Sequence, residues 1–497
     1  MRRSSVWRWL ALAVWIAAVP VLASQNGAKT SPTFIRQAPF LQGTFARIPR
    51  GAASPYAPQL AARVDEFLAG AEPTAEGLAQ YLAPMQLIRI AVPSAPGNGH
   101  QAVGATIAKR LRELGFKGQF EILYDGLIKD KLDLTLPGFD PEGPYKQSLP
   151  VLGARTLAVK NGTLMDLPKA DLGISASNGF MSGQLRAETE LRVGPYAWEF
   201  PTVTSGANGV TKHFPELHDY LFSFAPPRPS NVEKFLSESL SGSTRLREKI
   251  GGLQALERHR QRVELLPAYG LSDVGDEGKV GALLKAVSAA QDLAGDFFRS
   301  GVVIPFFSYL NGDSLERLQA SLLTSSISER VKMVSVRDAG AVESALSALA
   351  PGQILLLRVG GVSQDVFEYF FSRQTLPGTM AGANGQNLMR VLGLPFLLTV
   401  DKETEGLKEI SRRLPDPERS LLEEAGRVLR GDSADAQPLA RFLLEGRNPD
   451  STISRAFAAA KPSELKHDKL AVLLALAARL RRQAEKKAAG FWSSLRL

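Results

Sequence analysis

Two glycine-rich turns carry the residues best suited to chemistry. The first, Pro96-Gly97-Asn98-Gly99-His100, follows the apolar run Leu87–Val92 and precedes a helical pattern. Gly97, Asn98 and Gly99 let a ligand approach the backbone closely, and the unpaired N–H groups at a helix start attract an anion such as a diphosphate. His100 beside them titrates near neutrality, so it suits contact with that anion or removal of a proton from a hydroxyl nucleophile. A glycine turn opening a helix is equally at home in α/β folds that bind nothing there. The second turn, Gly360-Gly361-Val362-Ser363-Gln364, follows Ile354–Leu357 and again links a strand to a helix. Beyond it, Gly382, Asn384, Gln386 and Asn387 lie in a polar, glycine-rich stretch whose amides suit sugar hydroxyls or phosphate oxygens. Turn chemistry with Asn384 or Gln386 as a helix N-cap accounts for that stretch as well.

The elements that position these turns read as alternating strands and helices. Leu87–Val92 is a buried-strand run, and Val103, Ile107, Leu111 and Leu114 then fall on one helical face closed by Gly115. Phe120–Tyr124 forms the next strand and ends at Asp125, a weaker candidate on the acceptor side. Strand, turn, helix and strand in so short a stretch predict a right-handed βαβ unit. Runs at Leu157–Val159, Asp171–Ile174 and Leu191–Val193 continue that half, and Ala225–Pro229 reads as a connection. A charged helix is expected from about Ser230 to Glu264. A second alternation begins at Gly301, with strands at 331–336, 353–359 and 395–400 separated by helices at 339–349, 365–371 and 386–392. The fold class expected is α/β: two Rossmann-like domains facing a cleft, with a helical C-terminal extension. The segments are a signal peptide at 1–23, a loop and helix at 24–85, an acceptor-side domain at 86–230, a helical connection at 231–300, a donor-side domain at 301–410 and a helical region at 411–497.

Together the two turns resemble those of GT-B glycosyltransferases, especially the MurG-like and diacylglycerol galactosyltransferase group, over roughly residues 86–125 and 350–400. The resemblance implies that Asn98, Gly99 and His100 face a nucleotide-sugar site made by Gly360, Gly361, Ser363, Gln364 and the Asn384–Asn387 stretch. It implies displacement of a diphosphate from an anomeric carbon by an acceptor hydroxyl, with no obligatory metal and no cofactor, and with His100 as base or phosphate contact. One departure stands out: residues 376–400 hold no Asp or Glu, and Ala381 falls where such families commonly place a donor-binding acid.

Composition narrows the other classes. The 497 residues are 44% hydrophobic and 22% charged, with a formal net charge of +9, which fits a globular protein with a large core. Basic and acidic residues interleave along the chain, so nucleic acid is not the expected partner. Without Cys there are no disulfides, thiolate zinc sites or Cys nucleophiles. Arg2, Arg3 and Arg8 precede an apolar stretch, Trp9–Val19, followed by Pro20 and Ala23. That order predicts a secretory leader and an exported, periplasmic or secreted, protein. Export in turn favours a rival reading, a two-lobed sugar or phosphometabolite receptor without catalysis. An NAD site is disfavoured because the third glycine of Gly-x-Gly-x-x-Gly is displaced to Gly104. His213 and His218 read as a solvated loop, Tyr196 and Trp198 as core, and Arg258–Arg262 as a solvated basic face. The basic tail around Arg479–Lys487 suits either anionic lipid or packing across the halves.

Overall fold

The computed structural model describes strand Thr33–Ile35 and residues 58–494, except 70–71, 93–98, 125–158, 161–162, 165–167, 177–184, 195–200, 206–209, 218–219, 224, 272–275, 296–299, 309–311 and 401–404. The leader at 1–23, Gly97, Asn98, Asp125, Tyr196, Trp198 and His218 lie outside the described residues. Gly99 and His100 belong to them as helix backbone only.

The protein is a mixed α/β molecule built on two sheets. In the first half, β1 (Thr33–Ile35), α1 (Pro58–Leu68) and α2 (Ala75–Leu82) precede the expected βαβ unit. That unit is β2 (Leu87–Val92), α3 (Gly99–Glu113) and β3 (Gln119–Tyr124), with β2 and β3 parallel and Ile88 opposite Phe120. Val103, Ile107, Leu111 and Leu114 are all buried, and Gly115 at φ 104° closes the helix, as their spacing requires. A hairpin, β4 (Val159–Lys160) and β5 (Thr163–Leu164), stands apart. The sheet continues through β6 (Ala170–Ser175), β7 (Ala187–Arg192), β8 (Thr202–Ser205) and β9 (Val210–His213), in the order β1-β3-β2-β6-β7-β8-β9. β3, β2, β6 and β7 pair in parallel, whereas β1, β8 and β9 are joined through antiparallel pairings. This half is therefore less purely Rossmann-like than the sequence suggests. Residues 193–201 are too few for the roughly dozen that a parallel crossover needs, so the chain turns back at β8.

The single charged helix expected over 230–264 is three: α4 (Val232–Ser239), α5 (Thr244–Arg247) and α6 (Ile250–His259). Ser243 restarts the helix as an N-cap, its hydroxyl accepting the Leu246 N–H at 3.3 Å. The second sheet then begins at β10 (Glu264–Leu265), well before the expected boundary at 301, because β10 pairs in parallel with β11 (Val302–Phe306) through the crossover helix α7 (Glu277–Ala294). Next come α8 (Gly312–Leu323), β12 (Val331–Ser335), α9 (Ala339–Ser347), β13 (Ile354–Arg358), α10 (Gln364–Phe371), β14 (Gly378–Met380), α11 (Gly382–Leu392) and β15 (Phe396–Leu398). All pairings are parallel, and Ala268 bridges both Phe306 and Thr379. The spatial order is thus β12-β13-β11-β10-β14-β15. The sheet is apolar on both faces, as covering helices demand: Val302, Val303, Ile304 and Ile354–Leu357 are essentially without exposure.

Four helices follow, α12 (Glu405–Arg413), α13 (Asp416–Arg430), α14 (Gln437–Arg447) and α15 (Thr452–Ala459), and then α16 (Lys469–Ser494) returns to the first half, packing on β8 and α2. Its first residues, Leu470–Ala477, are buried, so the basic tail starts as a core helix. Among the described residues no helix is long and apolar enough to cross a membrane. The return is pinned by the buried Asp468 carboxylate, which accepts Arg110 Nε at 2.7 Å, the Ser223 N–H at 2.9 Å and the Ala471 N–H at 2.8 Å.

Candidate functional site

The first turn leaves the carboxyl end of β2 where the chain proceeds to β3 on one side while β6 lies on the other. In open α/β sheets such a switch point is where ligands bind. Gly104 lets α3 sit close to that strand: a Cβ there would come within 2.6 Å of Val92 Cγ2. The start of α3, carrying Gly99 and His100, is thereby drawn in against β2.

From the second sheet, β13 ends at Arg358 and Gly360 turns at φ 65°. Ser363 is the N-cap residue of α10, and its hydroxyl is buried with no hydrogen-bond partner among the described residues. Gln364, the first residue of α10, donates from Nε2 to Thr106 Oγ1 at 2.9 Å and to Glu368 Oε1 at 2.6 Å. Lys109, one turn further along α3, sits between Asp365 and Glu368, 2.9 Å from the latter. Burial alone disfavours its ammonium, but the two carboxylates more than offset this and raise its pKa. Burial also raises the Glu368 carboxyl, against the opposing pull of Lys109. On α11, Asn387 clamps the Phe222 backbone, accepting its N–H at 2.8 Å and donating to its carbonyl at 3.3 Å.

These contacts revise the sequence reading. Gln364 and Asn387, expected to meet a donor, use their amides to join the two halves. α11 begins at Gly382, before the expected start at 386, so Asn384 is helical along with Gln386 and Asn387, and the N-cap is Ala381 rather than Asn384 or Gln386. The glycines conceal the helix start because Gly lowers helix propensity, yet here they fit the packing. Gly382 takes φ 74°, and a Cβ on Gly385 would come within 2.5 Å of Met380 Cγ. Of the second set, Gly360 borders open space, Gly361 lends its carbonyl to Lys249, and Ser363 is sealed.

The second sheet's own switch point, between β10 and β14, is filled. Gly270, at φ 92°, abuts Ala381, and its N–H donates to Ser308 Oγ at 2.8 Å while its carbonyl accepts from Thr399 Oγ1 at 2.7 Å. Open space lies instead across the carboxyl ends of β11, β12 and β13, a cavity of about 280 Å³ bordered by Lys249, Ser308, Ser335, Arg337, Arg358 and Gly360. Lys249 is buried and donates to the Gly361 carbonyl; burial, aided by Arg245 and Arg337, pushes its pKa down to about 7. Arg337 is half-exposed and reaches Glu248 at 3.4 Å. The buried Nε of Arg358 has no hydrogen-bond partner among the described residues. Sequence reasoning passed over all three cations, although Arg358 directly precedes the glycine turn it singled out.

Elsewhere, Arg258 pairs with Glu343 at 2.8 Å and His259 contacts it at 2.7 Å, so the basic face there is an ion-pair surface. His213 ends the edge strand β9. Among the described residues no three His, Asp or Glu side chains cluster as a metal site. A wider groove of about 580 Å³ beside α1 and α16 is bordered by Arg63, Lys212 and Arg479 but also by Glu66 and Glu216, so its charges largely cancel.

Neither a family model nor a curated protein matches this chain.

Proposed function

We propose that the protein is a glycosyltransferase-like enzyme of GT-B arrangement, moving a sugar from an activated, nucleoside diphosphate donor to an acceptor hydroxyl. The supporting observation is that both glycine turns leave the carboxyl ends of parallel strands, and that the helices they open, α3 and α10, pack together through Thr106 and Gln364. Thr106 lies about 9 Å along the helix axis from His100, so the histidine end of α3 projects beyond this contact. In this reading the α3 start steadies the departing diphosphate, His100 acts as base or phosphate contact, Asp125 serves the acceptor side, and the donor rests against the Gly360–Gly361 turn. The leader would export the chain, which then meets a donor, nucleotide- or lipid-linked, outside the cytoplasm, and the exposed part of α16 would contact anionic membrane.

A receptor without catalysis is the second reading. It is favoured by the hydrogen bonds of Gln364 and Asn387, which close the seam where a donor was expected. Screening the mature chain for thermal stabilisation separates the two, since a ligand bound only to the folded state raises its melting temperature. A transferase responds to nucleoside diphosphates and their sugars, a receptor to free sugars or sugar phosphates. His100→Ala should lower turnover by about 10²–10⁴-fold with the fold intact; unchanged turnover removes the histidine from the mechanism.

A further inference from the structure

The cavity at the carboxyl edge of the second sheet has a composition that a purely structural void lacks. Its described lining includes Lys249, Arg337 and Arg358 and no Asp or Glu. Arg358 forms no ion pair among the described residues, and its buried Nε donates to nothing there. Arg358 is partly buried, and a cationic side chain whose sealed donor goes unmet costs folding free energy unless an acceptor reaches it. Arg337 has Glu248 at 3.4 Å and Lys249 the Gly361 carbonyl, so the open donor is that of Arg358, facing a cavity through which an acceptor can arrive from solution.

The remaining groups define that counter-charge. Ser335 supplies a hydroxyl from the end of β12, and Gly360 brings backbone close to the space without a side chain in the way. Arg358 and Arg337 offer forked N–H donors, which suit the spread oxygens of phosphate, and Lys249 adds a point charge from beneath. A volume of about 280 Å³ exceeds what a single phosphate fills and approaches the small end of metabolite pockets.

We propose that this cavity is a binding site for a phosphoryl group, a phosphate monoester or the terminal phosphate of a diphosphate, held by Arg358, Arg337 and Lys249. The proposal rests on the sugar-transfer reading only for the identity of the molecule carrying the phosphate; the site itself is a property of the second sheet. It lies beside that sheet's filled switch point, since Ser308 borders the cavity and accepts the Gly270 N–H at 2.8 Å.

Titration calorimetry on the full chain with inorganic phosphate, pyrophosphate and a nucleoside diphosphate, at ionic strength fixed with chloride, tests it. Saturable binding of pyrophosphate is expected, weakened at least tenfold by Arg358→Gln and at least threefold by Arg337→Gln. Arg337 is half-exposed, so its variant reads out the site even if Arg358→Gln fails to fold. Arg330→Gln, which alters a cation paired with Asp292 at 2.6 Å, should bind as the parent does. The proposal falls if the parent shows no saturable binding, or if both cavity variants bind pyrophosphate unchanged. Binding that depends on Arg358 and Arg337, together with no turnover of any sugar nucleotide, would keep the site and reject the transferase.

Discussion

Two groups of charge flank the Gly360–Gly361 turn, and they are completed differently. On the α10 side, Lys109 is enclosed by Asp365 and Glu368, with Gln364 and Thr106 bonded alongside. On the β13 side, Lys249, Arg337 and Arg358 border an open cavity with no acid in its described lining. The first group sets each charge against an opposite one and so joins the halves. In the second, Arg337 has Glu248 and Lys249 the Gly361 carbonyl, while the buried Nε of Arg358 has no partner among the described residues and is the donor the proposed ligand would meet. The comparison separates near neighbours in sequence: Gln364 and Arg358 are six positions apart, yet the Gln364 Nε2 bridges Thr106 and Glu368 while the buried Nε of Arg358 donates to nothing among the described residues.

The largest effect that could break this contrast is at the seam. Lys109→Met leaves two buried carboxylates facing each other and should cost about 3–5 kcal/mol of stability by chemical denaturation. Adding Asp365→Leu and Glu368→Leu should recover most of the loss, because removing all the charges removes the unpaired ones. A full-strength Lys109→Met protein would mean that the seam is not structural.

Next in size is a pH effect on the cavity side. The folded-state pKa of Lys249, about 7, lies below its ordinary value of 10.5. Between these two values the unfolded chain binds more protons than the folded one, so this residue makes stability rise with pH through that window, by up to about 1.4 kcal/mol per pH unit. Below pH 7 the penalty of burying the ammonium is fully present. Lys249→Met should flatten that part of the pH–stability profile; an unchanged slope would show that Lys249 is not titrating there.

The smallest effect is at Asn387. Asn387→Ala strands the Phe222 N–H and carbonyl and should cost about 1–3 kcal/mol in the same denaturation assay, without altering pyrophosphate binding. A loss of binding in that variant would move the ligand site from the cavity to the seam.

Much of the fold was legible because hydrophobic period is a local signal. The run Leu87–Val92, the stripe Val103–Ile107–Leu111–Leu114 and the strand–helix alternation from Gly301 onward all correspond to observed elements. The misreadings have physical causes. β10 is only two residues long and was absorbed into the preceding helix. The start of α11 is masked by Gly382 and Gly385, which tertiary packing accommodates. The antiparallel β8 and β9 follow from a connection length whose meaning depends on where β7 ends.

The site was less legible than the fold. Gly360 could be singled out because a glycine after an apolar run marks a strand-to-helix turn. That Gln364 and Asn387 would be consumed by contacts with Thr106 and Phe222, more than a hundred and sixty positions away in the case of Asn387, depends on long-range placement. So does the meeting of Lys249, Arg337 and Arg358, which come from three separate elements.

The most direct test is a crystal structure of the full chain grown with a nucleoside diphosphate. The account predicts the terminal phosphate against Arg358 and Gly360, with the rest of the diphosphate extending toward the start of α3 at His100. Phosphates seated anywhere else on the molecule, with the cavity holding only solvent, would contradict it.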